Sequence, residues 1–319
     1  MAIFNMPEAS KRKISIITPC FNEQDNVADV YGQVKAVFLG LSNYEYEHIF
    51  IDNASRDKTV EILKKIAQED KRVKIIVNTR NFGHIRSPYH ALMQAGGDAA
   101  VFLAADLQEP PALIVDFVKK WQEGFKVVIG IKNKSDESPA MFLMRKAYYN
   151  ILKRFAEIEH VSNYNGFGLY DRNVIEALRK FDEPYPYFRS MINEVGFERA
   201  ELKYTQAERK KGKSRNSFYV LYDMAMLGFV NNSKVPLRLA SFIGFGMSIF
   251  SFLIALVYLI RKLIHWQDFQ LGLAPLVVGI FFLGSIQLFF IGVLGEYVGA
   301  IYTQTKKRPL VIEKERINF

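Results

Sequence analysis

An apolar run, AAVFLAADLQEPPALI from Ala99 to Ile114, turns abruptly into Asp106, Gln108 and Glu109 followed by two prolines. On an extended chain the side chains of Asp106 and Gln108, two residues apart, project to one side. A carboxylate and an amide oxygen so placed suit Mg2+ or Mn2+, with phosphate and water completing the coordination. Two readings of the stretch compete. One is a plain strand end, with Pro110 and Pro111 opening the next helix. The other is a metal or phosphate site at the carboxyl edge of a parallel sheet, where open α/β folds place their ligands. Three further polar clusters lie upstream: Thr18, Pro19, Phe21, Asn22 and Glu23 in TPCFNE; Asp52, Asn53 and Ser55 in IDNASRD; and Asn81 in NTRNFG.

Elements must hold these clusters in place. KISIITPC, YEHIFID, VKIIVN, AAVFLA and KVVIGI read as strands, separated by segments of helical spacing such as Val27, Val30, Val34, Val37 and Leu41. Alternating β and α elements predict an α/β domain with a mostly parallel sheet covered by helices. In such a sheet the first four strands deliver their polar ends to one edge. A ligand site on that edge follows, although short polar βα loops are also ordinary.

Composition narrows the surroundings. The chain has 319 residues, with 42 lysines and arginines against 33 acids and a net charge of +9. That balance suits a negatively charged partner: nucleic acid, a phosphorylated substrate or an anionic membrane. Cys20 stands alone, so no internal disulfide framework exists and a reducing compartment fits. The first residues, MAIFNMPEASKRK, lack a signal-peptide core, so the N-terminal part is expected to stay cytosolic.

Ala240 to Ile260 and Leu271 to Gly295 carry no charge over 21 and 25 residues. Each is long enough to cross a hydrocarbon layer about 30 Å thick, and soluble core helices are rarely so long without a charge on any face. A two-helix membrane hairpin is therefore expected, with Trp266 and Tyr302 at the interfaces. Before it, residues 207–230 join a basic loop to an apolar helix, a pattern that suits the membrane surface. The predicted layout is a cytosolic domain over 1–215, an interfacial amphipathic helix over 216–235, the hairpin over 236–300 and a cytosolic tail over 301–319. A nucleic-acid binder would account for the charge but not for the spans or the four polar strand ends, so no nucleic-acid partner is expected.

TPCFNE, FIDNASRDKT, TRNFGH and ADLQEPP, in this order and spacing, resemble the nucleotide-sugar domain of glycosyltransferase family 2. The two spans and the segment GEYVGAIYTQTKKRP make the chain similar to the polyisoprenyl-phosphate glycosyltransferases within it, the group of bactoprenol glucosyltransferases and dolichol-phosphate mannose synthases. The resemblance covers nearly the whole chain and implies a GT-A-type fold. It implies a UDP-sugar donor, with glucose favoured, and a polyisoprenyl phosphate acceptor such as undecaprenyl phosphate. It further implies contact with membrane lipids, homo-oligomeric assembly, and a bacterial inner membrane location with the catalytic domain and both termini cytoplasmic.

Residue roles follow from the same resemblance. Thr18, Pro19, Phe21, Asn22, Glu23, Asp52, Asn53, Ser55, Asn81 and Lys213 would contact the nucleotide. Asp106 and Gln108 would hold Mg2+ or Mn2+. Arg145, Arg189 and Arg209 would hold phosphate, a task that suits the planar guanidinium fork. The chain departs from the family pattern at Asn53 and Ala54, where a second acid and a glycine are usual, and at Ala104, where an acid is usual. Gly166 and Gly168 stand where a base and an arginine are common. A missing base favours a phosphate acceptor, which is already ionised at neutral pH. Two rivals remain: a processive polysaccharide synthase, and a catalytically inactive nucleotide-sugar-binding membrane protein.

Overall fold

The computed structural model describes residues 11–133, 161, 163–207, 235–264 and 273–319. Within them β1 (Arg12–Cys20), α1 (Val27–Gly40), β2 (Tyr44–Asp52), α2 (Thr59–Glu69), β3 (Val73–Asn78), α3 (Gly83–Met93) and β4 (Ala99–Phe102) follow the predicted alternation. A 3-10 turn at Pro111–Leu113, α4 (Ile114–Gln122) and β5 (Val127–Lys132) come next. The remainder is β6 (Tyr164–Asp171), α5 (Arg172–Arg179), α6 (Phe188–Glu194), β7 (Arg199–Tyr204), α7 (Val235–Ile264), α8 (Leu273–Thr305) and β8 (Glu313–Ile317).

All eight strands join one sheet in the order β7-β5-β6-β4-β1-β2-β3-β8. β1 pairs in parallel with both β2 and β4, and β2 with β3. β5 and β7 run the same way, while β6 and β8 run against their neighbours. The sheet is thus mostly parallel, as its β–α alternation requires. β1 is its switch point: β2 and β3 extend to one side and β4 to the other. The loops leaving β1, β2 and β4 lie at the carboxyl ends of these parallel strands, on one edge of the sheet.

Both faces of the sheet are buried, so its central strands read as continuous apolar runs. Ile14 and Ile16 pack with Val30 and Val34 of α1 and Phe117 of α4 on one face. Ile17 packs with Tyr89 and Leu92 of α3 and Ile175 of α5 on the other.

α7 and α8 have 30 and 33 residues. Leu237–Ile254 and Gly279–Thr305 are long and apolar enough to cross a membrane, and neither window is buried within the protein. α8 continues past the predicted boundary at 300 to Thr305. The predicted interfacial helix over 216–235 lies outside the described residues apart from Val235, which opens α7.

The tail differs in kind from its expectation. After α8 the chain returns to the sheet as β8, antiparallel to β3 with Ile76 opposite Arg316. Thr79 N donates to the Ile312 carbonyl at 2.9 Å, and Lys64 pairs with Glu315 at 2.6 Å. The chain therefore leaves the α/β domain before α7 and rejoins it after α8.

Candidate active site

The loops after β1 and β2 are bound to each other. Asn22, at φ 56°, donates its backbone N–H to Ser55 Oγ at 2.8 Å and accepts from Arg56 N on its Oδ1 at 2.8 Å. Glu23 N donates to Thr59 Oγ1 at 2.9 Å. Pro19, Phe21, Asn22 and Glu23 stay half-exposed along the rim. Thr18 is different: fully buried, its hydroxyl meets His48 Nε2 at 2.9 Å inside the domain, so it positions the loop from beneath. Burial holds His48 down at about 3, hence neutral.

Asp52 is fully buried at the end of β2. Its Oδ2 accepts Ser55 N at 2.9 Å and its Oδ1 accepts the Ser55 hydroxyl. Burial raises its pKa, against the lowering effect of the Ser55 hydrogen bonds. In this geometry Asp52 and Ser55 close the turn on each other, which holds the rim in shape. Ala54 sits in the left-handed region at φ 63°, a conformation that glycine adopts more readily.

Asn53 ties β2 to β3. Its Nδ2 donates to Asn81 Oδ1 and to the Gly83 carbonyl, both at 3.0 Å. Its Oδ1 accepts from Phe82 N at 2.8 Å and Asn78 Nδ2 at 3.2 Å. A carboxylate could not make the first two bonds, because it has no proton to donate. The departure from the family acid at this position is thus a requirement of the local network. Asn81 joins the site through that network, together with Asn78, which the sequence did not single out. Asn78 Oδ1 is buried without a partner among the described residues.

The Asp106 segment corrects one expectation. β4 ends at Phe102, and residues 105–107 form a turn in which Leu107 has φ 56°. Asp106 and Gln108 are therefore not on an extended chain; Gln108 N donates back to Asp106 Oδ1 at 3.3 Å. Both nevertheless remain half-exposed while Ala105, Leu107 and Glu109 are buried. Glu109, not anticipated as a site residue, reaches back to accept Ala104 N at 3.0 Å and also accepts Asn165 Nδ2. It staples the loop to the start of β6. Burial raises its pKa, and the Asp106 charge pushes the same way. Its position directly before the two prolines was the one local signal for this role.

Among the described residues no group of three or more acids, histidines or cysteines gathers into a metal cage. One half-exposed carboxylate beside one half-exposed amide fits an ion that keeps water and phosphate oxygens as ligands, as Mg2+ does. It does not fit an ion that needs a closed protein shell.

The two glycines within β6 have physical reasons. Gly166 has φ 107°, and a Cβ there would face the Phe102 and Phe188 rings at 3.9 and 3.7 Å. An acid in its place would be strained and aimed at aromatic carbon. A Cβ on Gly168 would collide with the Val128 carbonyl across the sheet. Arg189, on α6, lines a cavity of about 110 Å³ with His84, Phe102, Asn165, Gly166 and Phe188. It is the one predicted phosphate-binding arginine among the described residues; Arg145, Arg209 and Lys213 lie outside them.

A mostly parallel sheet with polar loops at the carboxyl ends of its central strands, an acid loop after β4 and a C-terminal apolar hairpin define a class. Residues 15–179 match the model for glycosyl transferase family 2. The chain belongs to glycosyltransferase family 2; its fold is of the GT-A type and it is a glycosyltransferase. It is 33% identical over 300 residues to the uncharacterized glycosyltransferase YkcC of Bacillus subtilis, covering 93% of this chain and 92% of that one. It is 34% identical over 306 residues to the SfII prophage-derived bactoprenol glucosyl transferase of Shigella flexneri, covering 95% and 98%. Among solved structures it is similar to S. aureus TarS 1-349, at 17% identity and a TM-score of 0.44 over 70% of this chain and 66% of that one.

Proposed function

We propose that the protein transfers a sugar, glucose from UDP-glucose being the favoured donor, to a polyisoprenyl phosphate at the bacterial inner membrane, with inversion at the anomeric carbon. The observation that carries this reading is Gly166: its backbone excludes an acid, so the site favours an acceptor that needs no base. A phosphate monoester is such an acceptor, largely ionised at neutral pH with a second pKa of about 6. The bactoprenol glucosyl transferase relative supports the same acceptor class.

The rim built by Pro19, Phe21, Asn22 and Glu23 and fixed by Asp52, Asn53 and Ser55 would seat the nucleoside. Asp106 and Gln108 would hold Mg2+ or Mn2+ against the diphosphate. A divalent ion there supplies positive charge to the leaving group. Arg189 would orient the acceptor. A phosphate oxygen of the acceptor attacks the anomeric carbon, the bond from that carbon to the diphosphate oxygen breaks, and the electron pair leaves with UDP. One displacement inverts the centre. α7 and α8 would cross the membrane with the catalytic domain and both termini cytoplasmic, and the family resemblance favours a homo-oligomer.

The test is transfer of radiolabelled glucose from UDP-glucose to undecaprenyl phosphate in membranes, with Mg2+, with EDTA and with Asp106→Ala. A glycolipid product lost with EDTA and reduced at least about a hundredfold by the substitution is expected. Ala104 and Gly166 favour one rival, an inactive nucleotide-sugar binder; tight UDP binding without product from any nucleotide sugar would establish it instead.

A further inference from the structure

The loop after β3, the first turn of α3 and the segment leaving α8 bring Arg80, Arg86 and Arg308 together, with no carboxylate paired to them among the described residues. Arg80 lies 4.0 Å from the centre of the Phe82 ring, and Arg86 lies 5.7 Å from the same ring. Arg86 Nη2 donates to the Pro309 carbonyl, which brings Arg308 alongside. Arg86 Nε is buried with no hydrogen-bond partner among the described residues. None of the three arginines forms an ion pair among the described residues. Asp182 and Glu183 line an adjoining cleft of about 480 Å³ with Lys307 and Arg308, yet neither pairs with this cluster. Burial lowers the Arg86 pKa, and repulsion from Arg80 and Arg308 lowers it further.

Converging cations without a counter-charge cost free energy that a bound anion would recover. Arginine forks match the oxygens of a phosphate group. The cluster's place selects the source of that phosphate. Arg308 follows the end of α8 by three residues, and Lys306 sits 4.0 Å above the Tyr302 ring on its last turn. Aromatic rings and cations in this arrangement belong at the headgroup level of a bilayer.

We propose that Arg80, Arg86 and Arg308 form a binding site for the anionic phosphate of a membrane lipid. The proposal rests on the reading that α8 ends at the membrane surface. Phe82 N and the Gly83 carbonyl, within the same loop, hold Asn53. A lipid bound here would steady the loops that form the nucleotide rim.

Native mass spectrometry of the full chain in detergent tests the site, with phosphatidylglycerol, phosphatidylcholine, undecaprenyl phosphate and inorganic phosphate as separate probes. Wild type is compared with R80Q/R308Q and R80K/R308K; Arg86 is kept because it holds Pro309. The anionic lipids should be retained by wild type and by R80K/R308K. The glutamine pair should weaken them about thirtyfold at an unchanged unfolding temperature. Retention of undecaprenyl phosphate alone identifies the acceptor as occupant, and retention of phosphatidylglycerol as well identifies bulk lipid. Equal retention of phosphatidylcholine, full competition by inorganic phosphate, or no loss in the glutamine pair overturns the site. Alkaline carbonate extraction of wild type tests the membrane reading separately, since release of the protein would refute anchoring whatever the arginines bind.

Discussion

Asn53 ties together more of the rim after β2 than the acids around it. It makes four hydrogen bonds, two as donor and two as acceptor, to residues between β3 and the start of α3. Asn53→Asp would restore the family acid yet place a carboxylate oxygen against Asn81 Oδ1 and the Gly83 carbonyl. Lost donation and a charge facing two acceptors should together destabilise the protein by about 2–4 kcal/mol, read as a lower unfolding temperature. A midpoint unchanged within error would mean that the network re-forms around the acid. The sequence made Asn53 visible as a departure but not as a requirement, because its partners Asn78, Phe82 and Gly83 lie 25 to 30 residues away. Gly166 and Gly168 were visible in the same incomplete way. The positive φ of Gly166 and the close backbone approach at Gly168 depend on how β6 pairs across the sheet, and register is not written locally.

At the scale of elements, β1 to β4 and their helices were legible because each carries its own period and its own polar end. The Asp106 turn was less so: Leu107 at φ 56° breaks the extended geometry that two-residue spacing suggests. β8 was the least legible. EKERI is short and polar, it sits on an edge, and its partner β3 precedes it by more than 230 residues. Its polarity is what an edge strand needs to discourage further pairing. Side chains also hold it in place: Glu313 meets His90 at 2.6 Å, and Arg316 bonds both Glu313 and Gln94. Arg316→Pro would remove a backbone donor and those side-chain bonds at once. Amides of β3 should then exchange with deuterium at least about tenfold faster, while those of β1 keep their protection. Unchanged protection in β3 would show that β8 contributes nothing to that edge.

Two properties belong to the whole molecule. The first is acid stability. Glu47 is buried on β2 against Lys13 at 2.6 Å, Lys74 at 2.8 Å, Ser15 Oγ at 2.6 Å and Gly96 N at 2.7 Å. Burial alone would raise its pKa, but the four partners win and lower it to about 2. A carboxylate depressed in the folded state stabilises fully above its unfolded value and loses that contribution as pH falls through the folded one. Glu47 should therefore contribute about 3 kcal/mol at neutral pH, lost between about pH 4.5 and 2. Glu47→Gln should unfold more easily at pH 7 and match wild type near pH 2; a gap independent of pH would refute this assignment. The second property is topology. β8 rejoins the sheet after α8, so the described chain on either side of the apolar hairpin belongs to one α/β domain. If α7 and α8 cross the bilayer, an even number of crossings lies between the domain and β8, and the 265–272 connection must emerge on the opposite side. Cys20 is buried, so a cysteine placed at Gln267 or Lys307 would be the accessible thiol in each variant. In intact cells an impermeant maleimide should label Q267C and spare K307C until the membrane is opened. Labelling of both in intact cells, or of neither, would show that the hairpin does not span.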